Sequence, residues 1–405
     1  MIDRADVVVI GSGGLGAATA FYLVARGAGH VALLDRHAIA SQTSPRAAGL
    51  AMHARANDLM SALMRSASAK LTRFNDDTGE PLAWTRCGSL KVARRRQDLG
   101  TLESELERAV RLGLDAQLIS PEAAHRHNPF LQPAGVVAAL WVPEDLYFDP
   151  AQVAIGFARG AQARGATLLP DTAVARVEIV DGRVTGVQTD KGHIRTPVVV
   201  DAAGAWTRQV AAANGIRVPV VPTRHQLFVT EPVAGVRAEL PMVRIMDAAV
   251  YVRPCDGGFL WGVFEAQPHQ FDMDTLGANF QIEDLELDPE VLWRAAEAVA
   301  DQLPALRDAR VREHRGGLPT MTADGQHIVG PAPSAEGFFI AGGCNVAGLS
   351  ISPAIGDALA AWIVDGAPPI DLTPLSLERF GPGTPSEEQL RERALWQYRH
   401  FYTPA

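Results

Sequence analysis

Six residues near the start of the sequence have the types and spacing to bind a phosphate. Gly11-Ser12-Gly13-Gly14-Leu15-Gly16 stands between an apolar run at 6–10 and a helix-like stretch that closes at Arg26-Gly27. Gly11 permits a tight turn, Gly13 lets the backbone approach a pyrophosphate, and Gly16 allows a helix to pack close to a sheet. Free N–H groups at the start of that helix would face the phosphates. Asp35, with Arg36 beside it, closes a second apolar run, "HVALLDR", and is placed to accept hydrogen bonds from ribose hydroxyls. Strand, glycines, helix, strand and acid in that order predict a dinucleotide site. They do not by themselves separate NAD from FAD.

A second turn of similar shape, "GFFIAGGCNVAGLSISPAIGDALAAWI", begins at Gly337. It reads as a short apolar strand, a glycine-rich turn and an amphipathic helix. Ser352 suits the N-cap and Pro353 the first helical position, with Ile355, Leu359, Trp362 and Ile363 as the buried stripe.

The first two strands and the helix between them form a βαβ unit, which sets an α/β class. A helix is expected over 57–75, a strand in "TRCGSLKVAR" and a helix over 97–113. Between 166 and 200 the pattern changes to short strands, with Asp181-Gly182 and Lys191-Gly192 as hairpin turns. A buried strand, "TPVVVDAAGAW", then runs into Ala203-Gly204, and more strands and a helix at 289–302 follow. The expected architecture has two domains, each assembled from non-adjacent pieces. Segments 1–83, 147–220 and 315–380 would form the nucleotide domain, 84–146 and 221–314 a mixed-sheet substrate domain, and 381–405 a helical tail.

Composition narrows the function classes. A net charge of -9 argues against a nucleic-acid footprint, and Arg94-Arg95-Arg96, the densest basic run, reads as a solvated helix start. Cys87, Cys255 and Cys344 are three in number and far apart, which builds neither a disulfide framework nor a zinc site and suits a reducing compartment. The amino terminus enters a strand too early for a signal peptide, and no run approaches a membrane span. A soluble cytoplasmic protein without a metal site is expected.

Further segments carry a resemblance. "ASQTSPRAAGL" follows directly on the acid, "VVVDAAGAW" lies mid-chain, and "RHQLFVTEP", "YVRPCDGGFLWGVFE" and "GAPPIDLTPLSLERF" come later. Together with the two glycine turns, they make the chain resemble the D-amino-acid-oxidase-type (DAO) FAD-dependent oxidoreductase superfamily. The branch it is most similar to contains sarcosine oxidases and dimethylglycine dehydrogenases. The resemblance implies a glutathione-reductase-type (Rossmann-like) FAD-binding domain with a second, mixed antiparallel-sheet α+β substrate domain. It also explains the two turns: the amino-terminal one would hold the pyrophosphate, and the carboxy-terminal one the far end of the same FAD. The cofactor set it implies joins the first turn, Asp35 and Arg36 to Thr43, Ser44, Arg46, Ala47, Ala48, Gly49 and Leu50, with Val174, Ala203, Gly204 and Trp206. Gly317 and Leu318, then Gly342, Gly343, Asn345, Val346, Gly348 and Leu349, would lie beside the flavin and its ribityl chain. The positive end of the following helix would stabilise charge on a reduced flavin.

Departures from the family pattern matter as much. Dimethylglycine dehydrogenases link FAD to a histidine where this chain has Arg46, and monomeric sarcosine oxidases to a cysteine near Gly317. Neither nucleophile is present here, so non-covalent FAD is expected. Pro319 stands in the segment where glycine and D-amino-acid oxidases carry a carboxylate-binding arginine. Ser350 and Leu260 stand where sarcosine oxidases carry lysines for carboxylate and oxygen. Lys70, Lys91 and Lys191 are the only lysines, and none falls in these segments. The missing oxygen-activating lysine favours a dehydrogenase over an oxidase. The folate-binding half of dimethylglycine dehydrogenases is also absent from this sequence.

Three residues are the catalytic candidates. Tyr251 and Arg253 lie two apart in a strand and so project from one face. There Arg253 could hold an anion and Tyr251 hydrogen-bond the substrate. His225, in "TRHQLF", matches the histidine of the dimethylglycine-dehydrogenase "HQ" segment and could orient an amine or take a proton. Each has a structural alternative, as do Arg46, His53, Cys344 and Glu265.

The expected reaction is oxidation of a C–N bond in a secondary or N-methylated amine or amino acid. Hydride would pass to flavin N5, and the imine would then be hydrolysed. Alternatives are a D-amino-acid or glycine oxidase or dehydrogenase, a 2-hydroxy-acid oxidoreductase of the same fold, an NAD-dependent dehydrogenase, and a flavin subunit active only in a larger complex. Expected partners are the small-molecule substrate and an electron acceptor, either oxygen or a carrier protein or quinone. The tail residues Leu390, Leu395, Trp396 and Tyr398 would pack back on the chain or dock a partner subunit. Homo-oligomerisation is left open.

Overall fold

The computed structural model describes residues 2–277, 279–381 and 385–403. Met1, 278, 382–384 and 404–405, which include part of the expected tail, lie outside the described residues.

The βαβ unit forms as its sequence dictates. Val7–Ile10 and Val31–Leu34 pair in parallel, with helix Gly14–Ala25 between them. They sit in a six-stranded sheet ordered Ile328–Pro331, Phe338–Gly342, Val198–Asp201, Val7–Ile10, Val31–Leu34, Thr167–Leu169. Every neighbouring pair is parallel except the first. Alternate side chains divide between two cores. Val7, Val9 and Leu33 face helices Gly14–Ala25, Pro150–Ala163 and Gly348–Asp365, whereas Val8, Ile10 and Leu34 face a small antiparallel sheet. That small sheet joins Val174–Val180, Arg183–Thr189 and Gly192–Arg195. Asp181 and Gly182 both take positive φ at its first turn, 50° and 76°, as a two-residue hairpin requires.

A second, eight-stranded sheet runs Val311–Gly317, His225–Thr230, Gly258–Val263, Val250–Cys255, Met242–Ile245, Ser89–Ala93, Ala138–Val142, Gln117–Ile119. The mixed α/β architecture with an FAD-type parallel sheet agrees with the expected fold class. The helix expected over 57–75 divides into Asp58–Thr72 and Phe74–Thr78, and the one expected over 97–113 spans Leu99–Arg111. The tail helix, Glu387–Arg399, opens on a Ser386/Gln389 capping box and buries Leu390, Ala394 and Tyr398 on its own chain.

Two sequence expectations are corrected. The second hairpin turns on Asp190-Lys191, because Gly192 already pairs with Thr189 and opens its strand. The last long helix starts at Gly348, not after Ser352, so Pro353 lies inside it. Proline lacks the N–H that would reach the Leu349 carbonyl, and the buried Ser352 hydroxyl donates to that carbonyl at 2.9 Å instead. The serine side chain thus makes the bond the proline cannot make.

No helix of the described residues is long and apolar enough to cross a membrane. Among those residues, no group of three or more His, Cys, Asp or Glu side chains is arranged to hold a metal ion.

Candidate active site

A cleft of about 380 Å³ opens along the carboxyl ends of the parallel strands and reaches the second sheet. Its walls draw on segments far apart in sequence. Gly11, Gly13, Gly14 and Leu15 line it with Asp35, Arg36, Thr43, Ser44 and the run Arg46, Ala47, Ala48, Gly49 and Leu50. Val174, Ala203, Gly204, Trp206, Gly317, Leu318, Val346, Gly348 and Leu349 line it too.

The glycine turn is built on contacts that no side chain could share. A Cβ on Gly16 would lie 1.8 Å from the Gly11 carbonyl oxygen, and one on Gly11 (φ +94°) 2.5 Å from the Ala202 carbonyl oxygen. Ser12 lies behind the cleft wall and donates from its N–H and its hydroxyl to Asp35 Oδ2 at 2.8 and 2.5 Å. The His37 N–H donates to Oδ1 at 2.9 Å. Burial pushes the Asp35 carboxyl up, and these three bonds oppose the shift. Arg36 lies over the Trp206 ring, 5.3 Å from its centroid. The Gly14 N–H donates to Ser44 Oγ at 2.9 Å.

At the second turn the structure separates residues that line the cleft from residues that shape it. Gly342, Gly343 and Asn345 are not among the lining residues. The Asn345 side chain accepts from the Thr322 N–H at 3.0 Å and donates to the Gly343 carbonyl at 2.6 Å. Asn345 and Val346 both hold positive φ, 43° and 60°. For a β-branched residue this is a strained backbone, sustained here by the Asn345 clamp, and such strain concentrates at functional turns.

The second sheet supplies the rest of the cleft. His225, Tyr251, Phe264, Arg55, Phe401 and Tyr402 meet there. Tyr251 Oη lies 2.9 Å from His225 Nε2, and Tyr398 Oη lies 2.7 Å from His225 Nδ1. Gly262 makes room for this pair, because a Cβ there would sit 2.4 Å from the Tyr251 hydroxyl. Burial pushes the His225 imidazolium down to about 4 and the Tyr251 phenol well above its usual range. Near neutral pH both groups are therefore uncharged.

Arg55 was not singled out from the sequence. It lines the cleft, and among the described residues its guanidinium has no hydrogen-bond or ion-pair partner. It approaches the Phe401 ring at 5.8 Å. Burial first, and then the charge of Arg244, disfavour its cationic form. Nearby Lys91 is committed to Glu105 at 2.5 Å, and Arg244 reaches Ser89 Oγ at 3.2 Å. An unpaired, cleft-facing guanidinium is a ready anion site. No local pattern marks it, since Arg55 sits alone in "MHARAND" and its surroundings come from four distant segments.

Arg253 is the candidate that the structure turns away. It does not line the cleft; its Nε donates to the Ala48 carbonyl and its Nη1 to the Pro254 carbonyl, both at 2.7 Å. Its ends are thus used to brace the segment that follows the cofactor turn. His53 is likewise structural, with Nδ1 2.8 Å from buried Asp145. Glu265 is buried against Arg224 and Gln226 rather than facing solvent or ligand. Arg46 lines the cleft, and its guanidinium donates to the carbonyls of Ser41 and Gln42. Cys344 also lines the cleft, and its sulfur accepts from the Thr320 N–H at 3.4 Å.

Known proteins resemble this chain over most of its length. Over 408 residues the chain is 30% identical to mitochondrial sarcosine dehydrogenase of Mus musculus, covering 99% of this chain and 44% of that protein. It is 29% identical to sarcosine oxidase subunit beta of Rhizobium meliloti over 93% of this chain and 89% of that one. The crystal structure of L-proline dehydrogenase from P. horikoshii superposes with a TM-score of 0.84 at 26% identity, covering 95% of this chain and 99% of that one. The chain thus spans about half the length of the first curated relatives it matches. The family described as DAO, FAD dependent oxidoreductase, matches residues 6–362, and the chain belongs to that family.

Proposed function

We propose that this chain oxidises the C–N bond of a secondary or N-methylated amino acid with non-covalently held FAD. The residues present fit that cofactor: a glycine cradle with no space for a Cβ, a buried acceptor at Asp35, and an elongated, mainly apolar cleft. Asp35 and Arg36 with Trp206 would hold the adenosine part, and Gly13, Gly14 and Ser44 the phosphates. The segment 46–50 and Gly317, Leu318, Val346, Gly348 and Leu349 would flank the flavin ring. FAD, when bound, supplies the acceptor for the two electrons removed from substrate carbon. The absence of a histidine at 46 or a cysteine at 317 supports non-covalent attachment.

The observation that carries the reading is the meeting of three groups at the second sheet. Arg55 would bind the substrate carboxylate, replacing the anchors absent at Pro319 and Ser350. Tyr251 and neutral His225 would take a proton from the substrate ammonium, leaving the amine lone pair free for oxidation. Phe264, Phe401 and Tyr402 would exclude water from the reacting carbon. Sarcosine dehydrogenase and L-proline dehydrogenase, both named for substrates of this class, support the choice.

The test is anaerobic mixing of FAD-loaded protein with sarcosine, dimethylglycine, proline, D-alanine and glycolate, following the visible flavin absorption. Bleaching by an N-methylated or cyclic amino acid is expected. Bleaching by glycolate alone would replace the reading with a hydroxy-acid oxidoreductase.

A further inference from the structure

The tail helix Glu387–Arg399 lies beyond the segment matched to the family, yet it places Tyr398 directly on His225. Tyr398 is fully buried, and among the described residues its hydroxyl meets the Glu265 backbone N–H, which can only donate to it, and two further groups. One is His225 Nδ1 at 2.7 Å and the other is the Arg224 carbonyl oxygen at 3.3 Å. A carbonyl oxygen can only accept, and a phenol has one proton to give. Both contacts are hydrogen bonds only if Tyr398 donates to Arg224 and accepts from His225. Nδ1 then carries the histidine proton. In a neutral imidazole the other nitrogen is bare, so Nε2 accepts from the Tyr251 hydroxyl, 2.9 Å away. Tyr251 is left presenting lone pairs to the cleft.

The reverse order would have opposite consequences. Tyr398 would donate to Nδ1, Nε2–H to Tyr251, and Tyr251 would offer its proton to the cleft. That arrangement leaves the Arg224 contact without a hydrogen and would repel a substrate N–H. Among the described residues, no charged side chain is in hydrogen-bond contact with the imidazole. Its ring neighbours are Tyr251, Phe264 and Tyr398.

We propose that Tyr398 is a positioning residue that fixes His225 as the Nδ1–H tautomer, so that Tyr251 and His225 accept a proton at the cleft rather than donate one. The functional meaning of this rests on the amine-oxidation reading, but the tautomer can be tested without any substrate.

Two-bond proton–nitrogen spectra of FAD-loaded protein labelled with 15N-histidine report each ring's tautomer, and His225→Gln identifies the His225 signals. The Nδ1–H pattern is expected, and an Nε2–H pattern overturns the proposal. In Tyr398→Phe the signals should shift to Nε2–H or to a mixture. Anaerobic flavin reduction by sarcosine should slow at least about 10-fold, as expected when a general base is disarmed. Acetate binding, read from the flavin spectrum, should change less than about threefold. Trp396→Ala, on the outer side of the same helix, should leave tautomer and rate alone and so controls for loosened packing. A Tyr398→Phe protein with unchanged tautomer or unchanged rate also overturns the proposal. If no amine bleaches the flavin in any variant, the amine reading fails while the tautomer result still decides the assignment.

Discussion

The two ends of the cleft are built in different ways. The end proposed to hold the dinucleotide is made by backbone: six consecutive residues, one carboxylate and a helix start, all within the first 35 positions. The far end is made by side chains from distant positions, with Arg55, His225, Tyr251, Phe264, Tyr398, Phe401 and Tyr402 converging from five parts of the chain. A backbone site depends on the absence of atoms, so one methyl group can abolish it. A side-chain site depends on hydrogen-bond order and charge, so its failures should be graded and specific.

The largest effect should come from Gly16→Ala. Its Cβ would sit 1.8 Å from the Gly11 carbonyl, forcing helix and strand apart at the phosphate cradle. Loss of bound flavin is expected, with about 1–3 kcal/mol of overpacking strain. The flavin-to-protein absorbance ratio and thermal melts check this. A fully loaded variant would remove the distinction between the two ends.

His225→Gln should retain flavin and bind acetate, yet lower the rate of anaerobic reduction by about 100-fold, the usual share of a general base. Loss of flavin from this variant would instead assign His225 to the scaffold. Because burial holds His225 at about 4, reduction should depend little on its titration from neutral pH down to about 5 and fall below that as the acceptor is protonated.

Attachment of the cofactor gives a qualitative check on the segment between the ends. Denaturing the holoprotein should leave the yellow colour in the supernatant. Colour in the precipitated protein would establish a covalent bond that residues 46 and 317 do not suggest.

The smallest effect concerns stability. Buried His225 and His327 stay neutral in the folded state, at about 4 and about 3, whereas the unfolded chain protonates its histidines near the usual ~6.5. Their folded values are depressed, so stability is full above ~6.5 and is lost as pH falls from there toward the folded values. Among the described residues, neither ring nitrogen of His327 has a hydrogen-bond partner. His327→Leu should therefore shallow the fall of Tm between pH 7.5 and 5, by roughly 1–3 °C. An unchanged slope would show that other groups govern the acid limb.

Legibility in the sequence followed the same division. The βαβ unit, the hairpin at Asp181-Gly182 and the mixed second sheet could be read because each signal is local: a period, a glycine, a turn pair. The second turn is legible, but its helix start is not, because Ser352 and Pro353 look like a cap wherever they occur. Tyr251 and His225 were legible as candidates, while Arg253 followed from the two-residue spacing of a strand, which fixes a face and not a partner. Arg55 carries no local signal, and Tyr398 is legible only as a tail residue able to pack back on the chain. Their significance arises only when the loop after the cofactor segment and the tail helix meet the second sheet.

Arg55 should make the far end selective for a carboxylate-bearing amine. The direct measurement compares anaerobic flavin reduction by sarcosine and by sarcosine methyl ester in the native protein and in Arg55→Met. Native protein should half-saturate with sarcosine at a concentration about 30- to 100-fold lower than with the ester, the scale of a buried, hydrogen-bonded charge pair. In Arg55→Met that preference should collapse while the ester's behaviour barely changes. A preference for sarcosine that survives the substitution would contradict the account and place the carboxylate elsewhere in the cleft.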